Sequence, residues 1–418
     1  MPSRGHCHFL FALLRSYATR FLLWTTPTLR VFMLGLVAAH VFLGESASRA
    51  RMVRTFEAGG VVGGWPWESS THWDTHRETD ADARVARPEL IADLAALLRP
   101  KVTKHYALVV GEIGTGKSTA VRAAVRSLPH PKGAVYFTTP EIMSPFLSGL
   151  GDATGYFHSF DPLARLYTWC SSCGTLTGWA ALRRALRLAE DAYRAKHGRP
   201  AVLVIDHVEY IAKNNPAFFT DLQEFAKACA HAGSLRIVFV LSEGPSPPLP
   251  LMQASSAWSH ALPPFEIPDI DDHEATEYLV DSGLDRSRAA EAVRDITGGR
   301  FILLLSIANE ARIKSIESIR HVHDISTSVA LICLGLTPLH ALFRELSTSK
   351  RVEGGVARAL LHKQKLDALL KANVLAFHPD GTYTAHARHV EVFLRDALAS
   401  AAESPLRGSP GNDVKASL

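Results

Sequence analysis

The chain has 418 residues, 47% hydrophobic and 21% charged, which is ordinary globular usage and enough length for two or three domains. That composition excludes disordered, collagen-like and coiled-coil chains, and five cysteines are too few for a disulfide-stapled secreted scaffold. The net charge of +4, from 45 basic and 41 acidic residues, does not as a total point to nucleic acid.

The charge is uneven. Residues 1–54 hold seven arginines (Arg4, Arg15, Arg20, Arg30, Arg49, Arg51 and Arg54), no lysine and one acid, Glu45, a net of +6. The remaining 364 residues carry 38 basic and 40 acidic side chains, a net of −2. The same leader is apolar over Phe9–Leu14, Phe21–Trp24 and Val31–Leu43. Arginine-rich, acid-poor, apolar sequence fits a mitochondrial presequence or a membrane anchor. The run Val31–Leu43 is 13 residues, about 20 Å of helix against a hydrocarbon core of about 30 Å. A secretory signal is a third reading, and Met33 and Met52 are possible alternative starts. The expected location is therefore mitochondrial or membrane-associated if the leader is real, and cytoplasmic otherwise.

Residues 55–86 read as a linker, with Gly59, Gly60, Gly63 and Gly64 followed by Trp65, Trp67 and Trp73. The segment Arg87-Pro88-Glu89-Leu90 opens a helix that Pro100 ends, with Leu90, Leu94, Leu97 and Leu98 on one face. Short apolar runs follow at Tyr106–Val110, Ala134–Phe137, Ala201–Ile205, Arg236–Leu241 and Phe265–Ile267. Helical patterns separate most of them, notably Leu176–Lys196 and Ala217–Ala232. Such alternation predicts a parallel α/β sheet covered on both faces. From Asp271 the pattern is helical, and from Thr337 to Leu398 it gives helices and then two strands around Pro379-Asp380-Gly381.

The chemistry is concentrated at Gly111-Glu112-Ile113-Gly114-Thr115-Gly116-Lys117-Ser118, which fits the phosphate-loop pattern G-x-x-x-x-G-K-[ST]. It lies between a predicted strand and a helical stretch beginning at Thr119. Glycines let backbone amides wrap a triphosphate, and the helix that follows presents its positive end. Lys117 is the expected β/γ-phosphate contact, and the Ser118 hydroxyl is the expected Mg²⁺ ligand. An apolar strand ending in an acid follows at Ala201–Asp206, so Asp206 is the second expected Mg²⁺ ligand. For the acid that activates water, Glu209 is the first candidate and Glu243 the second; that neither does so is the alternative. Ser242, at the end of the next strand, is a candidate γ-phosphate sensor or a capping serine. Arg300, after Gly298-Gly299, is a candidate phosphate contact from a lid or a solvated arginine. Cys170-Ser171-Ser172-Cys173 has no second pair to make a zinc site.

The Arg87–Leu90 helix, phosphate loop, Asp206 strand, Ser242 strand end and Gly298-Gly299-Arg300 together resemble the archaeal-type ATPases, near the AAA+ and STAND branches of phosphate-loop NTPases. The resemblance implies a three-layer αβα core over residues 87–268 and a helical lid over 269–330. It further implies a winged-helix-like domain over 331–400, where Leu366–Leu370, Asn373–Phe377 and Gly381–Tyr383 read as a final helix and wing, before a disordered tail at 401–418. The family usually has glutamate where this chain has His207, which bears on turnover and not on binding. The expected function is a Mg²⁺-dependent ATPase acting as a switch or remodelling module. Its partner would be a protein, or a second copy, met through the C-terminal domain. The alternatives are a non-hydrolysing membrane-attached ATP sensor and an ATP-gated DNA-binding protein.

Overall fold

The computed structural model describes residues 46–62, 87–156, 175–242, 252–310 and 340–395, apart from 103, 144, 373, 387 and 389. Six parallel strands form one sheet in the order β1-β3-β4-β5-β2-β6. They are β1 (Gly60–Val62), β2 (Ala107–Val110), β3 (Ala134–Thr138), β4 (Ala201–Asp206), β5 (Leu235–Val240) and β6 (Phe265–Glu266). The five runs picked out by apolar patterning are β2 to β6.

Side chains alternate across each strand, and the alternation divides the core in two. Leu108, Val110, Leu203, Ile205, Ile237 and Phe239 face one layer, packed by the helices Thr175–His197 and Pro216–Ala232. Ala107, Val109, Val202, Val204, Val238 and Val240 face the other, packed by the helices Pro88–Leu97 and Lys117–Ser127. Both faces being dry is why these strands read as continuous apolar runs. The result is the α/β sandwich that the patterning predicts.

The expectation of a linker over 55–86 is corrected at its start. Residues 46–58 are helical, and Met52, Val53 and Phe56 are buried in the first core layer. Residues 60–62 then add β1 to the sheet edge, in register with Val135–Phe137. Three residues between glycines are too short for a pattern, and only pairing with β3 makes them a strand. The last part of the +6 leader, residues 46–54, is thus part of the folded domain. Residues 1–45, which hold the apolar runs, and residues 63–86 lie outside the described residues, as do Cys170, Cys173, Glu243 and the tail. No described helix is long and apolar enough to cross a membrane.

A helical layer follows β6: Asp272–Asp281, Arg286–Ala292 with a wider turn over Val293–Thr297, and Phe301–Glu310, around Ile270, Leu279, Ile296 and Leu304. Gly299 sits so close to Ile270 that an added Cβ would lie 1.5 Å from the Ile270 carbonyl oxygen. This contact seats the start of the last of these helices. The C-terminal module comprises the helices His340–Ser349, Gly354–Leu360 and Lys363–Lys371, and residues 388 and 390–395 are also helical. Three short antiparallel strands accompany them, β7 (Val352–Glu353), β8 (Leu375–Phe377) and β9 (Thr382–Ala385), in the order β7-β9-β8. The strand pair expected around Pro379-Asp380-Gly381 is β8 and β9, with Gly381 at φ +82° in the turn.

Candidate functional site

The loop Gly111–Ser118 leaves the carboxyl end of β2, between β5 and β6, and enters the helix Lys117–Ser127. Gly114 and Gly116 both have φ +87°, a backbone state that glycine reaches at little cost. A Cβ at Gly114 would also lie 2.4 Å from Ile302 Cγ2, so a helix of the lid packs directly over the loop. Lys117 is buried, and its Nζ donates to the Glu112 carbonyl oxygen at 2.5 Å. Thr115 Oγ1 donates to the same carbonyl at 3.1 Å. Ser118 is the second residue of the helix, and Thr119 with Thr115, Gly116, Arg87, Ile91, Ile270 and Phe301 lines a small, largely apolar recess beside it. Sequence patterning missed that recess because its walls come from three distant segments.

Asp206 ends β4 and is 2% exposed. Its Oδ1 accepts from the His207 amide at 2.8 Å, and its Oδ2 accepts a short hydrogen bond from the Tyr136 hydroxyl on β3. Burial, reinforced by the Asp206 charge, raises Tyr136 well above the usual phenol range, so the hydroxyl stays a donor. Tyr136 was not among the sequence candidates. It lies in an ordinary buried strand, and only the β3–β4 pairing of Thr138 with Asp206 brings it to the carboxylate.

His207 has φ +56°, a left-handed state uncommon for a side chain of its size. Its Nδ1 lies 3.1 Å from Glu209 Oε1 and its Nε2 3.8 Å from Asp206 Oδ2. Burial alone would lower the His207 pKa, but the hydrogen bond to Glu209 and the Asp206 charge outweigh it and the value is raised. β2 and β4 run parallel on either side of β5, so the phosphate loop and the end of β4 lie at the same carboxyl edge of the sheet. Glu209 Oε2 accepts from the Ser242 amide at 3.4 Å. The fold therefore gathers Asp206, His207, Glu209 and Ser242 in one hydrogen-bonded chain. Ser242 joins this chain through its backbone amide.

Arg300 is not the solvated arginine that was one of its two readings. It is 3% exposed, with Nε and Nη2 on the two Asp269 oxygens at 2.7 and 3.1 Å and Nη1 on the Ile113 carbonyl at 2.8 Å. Nη2 also bonds the Glu112 carboxylate and, at 2.6 Å, the His386 carbonyl. Burial raises the Glu112 pKa, with Arg300 acting against the shift.

Asp206 and Ser118 offer a carboxylate and a hydroxyl, hard oxygen donors of the type Mg²⁺ takes, but too few to hold it alone. Consistent with that, no cluster of three or more metal-ligating side chains occurs among the described residues. The donors fit an ion that arrives with phosphate oxygens. A larger cavity of about 660 Å³ lies between the helices Thr175–His197 and Pro216–Ala232, lined in part by Arg187, Cys229, Ser234 and His260. Ser234 stands at the amino end of β5, so this cavity is at the far edge of the sheet from the phosphate loop.

Residues 84–238 match the AAA ATPase domain family. The matched segment contains the phosphate loop and the Asp206 strand, and is similar to AAA-type phosphate-loop ATPase domains. Among solved structures, a Walker-type ATPase of Pyrococcus abyssi is 16% identical, covering 74% of this chain and 96% of its own with a TM-score of 0.48. Cdc6p from Pyrobaculum aerophilum is 14% identical over 83% of this chain and 98% of its own, TM-score 0.33. The Aeropyrum pernix ORC1 protein, solved in complex with DNA, is 15% identical over 78% and 93%, TM-score 0.34. A search of curated proteins finds no match. The AAA assignment rests on the domain match and on the loop, sheet order and Asp206 strand described above.

Proposed function

We propose that this AAA domain binds ATP with Mg²⁺ and works as a nucleotide-controlled switch with slow turnover. The observation that carries the reading is that the phosphate loop and the Asp206–His207–Glu209 chain share the carboxyl edge of one parallel sheet, with the lid's Arg300 bonded to the loop. Loop amides and the helix end at Lys117 would hold the phosphates, with Lys117 leaving the Glu112 carbonyl for the β- and γ-oxygens. Ser118 and Asp206 would hold Mg²⁺, which supplies charge neutralisation at the phosphates. Tyr136 and the His207 amide fix the Asp206 carboxylate for that task.

Glu209 has one oxygen on His207 and the other on Ser242, which favours a part in a water-orienting pair with His207 over a free base. His207 in the usual glutamate position supports the second reading, a sensor that binds without hydrolysing. The C-terminal helices and strands, read as winged-helix-like, would pass the state to a protein partner. Membrane attachment through the leader and binding of DNA are the two remaining readings.

Full-length Lys117→Ala should lose Mg·ATP binding in calorimetry while keeping its circular dichroism; unchanged affinity would sink the assignment. Glu209→Gln should bind Mg·ATP normally and turn it over more slowly than the wild type. Equal turnover in a phosphate-release assay would remove Glu209 from the reaction.

A further inference from the structure

Phosphate binding gives roles to the glycines, Lys117 and Ser118, but none to the side chain of Glu112. An acid there opposes a triphosphate, since like charges a few ångströms apart repel. Glu112 is nonetheless 9% exposed, and its carboxylate is held from two sides. Arg300 comes from the lid, and His378 Nε2 at 3.5 Å, His386 Nδ1 at 3.6 Å and Thr384 Oγ1 at 3.5 Å come from the β8–β9 hairpin and the residue after it. His378 Nδ1 also lies 3.0 Å from Glu266 Oε1 on β6, and Arg388 reaches Asp272 of the lid at 3.2 Å. These groups surround a polar cavity of about 330 Å³ between the loop, the lid and the C-terminal module.

We propose that Glu112 is a latch: its carboxylate docks the C-terminal module on the phosphate loop, and bound nucleotide loosens that docking. The proposal rests on the nucleotide-binding reading above and adds the path by which the module senses the site. Lys117 and Arg300, the two cations expected at the phosphates, are both bonded to Glu112, one on its carbonyl and one on its carboxylate. A triphosphate competes for both. Once Arg300 turns to phosphate, the Glu112 carboxylate is left buried, facing new negative charge, without its strongest partner. A buried charge stripped of its partner is strongly unfavourable. The docked module and the nucleotide therefore oppose each other through one residue. Coupling of this kind is reciprocal, so breaking the latch must tighten nucleotide binding as well as free the module.

The test uses the full chain as wild type, Glu112→Gln and His378→Gln, with Mg·ATP affinity from calorimetry and amide hydrogen exchange over residues 374–386. Both variants should bind Mg·ATP tighter, by at least about fivefold for Glu112→Gln, the lower end of ordinary coupling. In the wild type, Mg·ATP should speed exchange over 374–386; in Glu112→Gln exchange should already be fast without nucleotide. Equal or weaker affinity in a folded Glu112→Gln overturns the latch. So does wild-type exchange that nucleotide slows or leaves unchanged. If Glu112→Gln does not fold, His378→Gln decides from the module side by the same two readouts. A wild type that binds no Mg·ATP overturns the nucleotide reading itself, and is told apart from a failed latch by that fact alone.

Discussion

At the scale of single residues, the molecule keeps several carboxylates out of water for different reasons. Asp206 is held by two donors and serves the site. Glu190, far from it, is fully buried, with one oxygen accepting from Ser234 and the other lacking a hydrogen-bond partner. Burial pushes its pKa up to about 7, against an ordinary value of 4.5. A carboxyl raised in this way is stabilising while protonated in the folded state. That contribution is full below about pH 4.5, where the unfolded chain is also protonated, and is lost as pH climbs through about 7. The loss is on the order of 3 kcal/mol. Glu190→Gln should therefore be more stable than the wild type at pH 8 and similar at pH 4.5. Urea unfolding at the two pH values checks this, and a variant no more stable at pH 8 would contradict it.

At the scale of elements, the addition at the amino-terminal side changes what belongs to the domain. The helix over residues 46–58 places Met52 and Phe56 at zero exposure against the first core layer. The Lys132 and Gly133 amides donate to the Glu57 and Phe56 carbonyls, at 3.0 and 2.8 Å, and tie its end to the strand it borders. His197 and Lys196 both reach Glu57, at 2.7 and 2.6 Å, from the helix behind the sheet. An appended leader would tolerate truncation of an aromatic side chain, whereas a core helix would not. Phe56→Ala should cost about 3–5 kcal/mol, the usual range for emptying a buried aromatic site. Chemical denaturation of the full chain measures it; a cost near zero would return this helix to the status of a leader.

At the scale of the whole molecule, the sheet, lid and C-terminal module share one polar junction around Glu112 and Arg300. A ligand that binds the folded phosphate loop and not the unfolded chain stabilises the folded state, even while it loosens the docking of the module. Mg·ATP at a hundredfold above its Kd should add about 2.7 kcal/mol to the folded state by mass action. A rise in thermal midpoint with ATP concentration in the wild type, and none in Lys117→Ala, is the expected pattern. A rise of equal size in both proteins would place the ligand elsewhere.

The sequence by itself determined the chemistry of the loop and the class of the fold. A phosphate loop is local: its glycines, lysine and serine are adjacent in the chain, and the strand and helix that must flank it are adjacent too. Five strands were legible because burial on both faces leaves each as an unbroken apolar run. Only the tertiary structure decided the rest. The strand Gly60–Val62 is made by its partner β3 and not by its own three residues. Tyr136 reaches Asp206 only through the pairing of two strands, and Glu209 meets Ser242 across 33 positions of chain. Arg300 read equally well as solvated or phosphate-bound, because nothing near it in sequence reveals Glu112 and Asp269 as its partners. Its neighbours lie as far as 188 positions away, and electrostatic partners at that separation leave no periodicity to read.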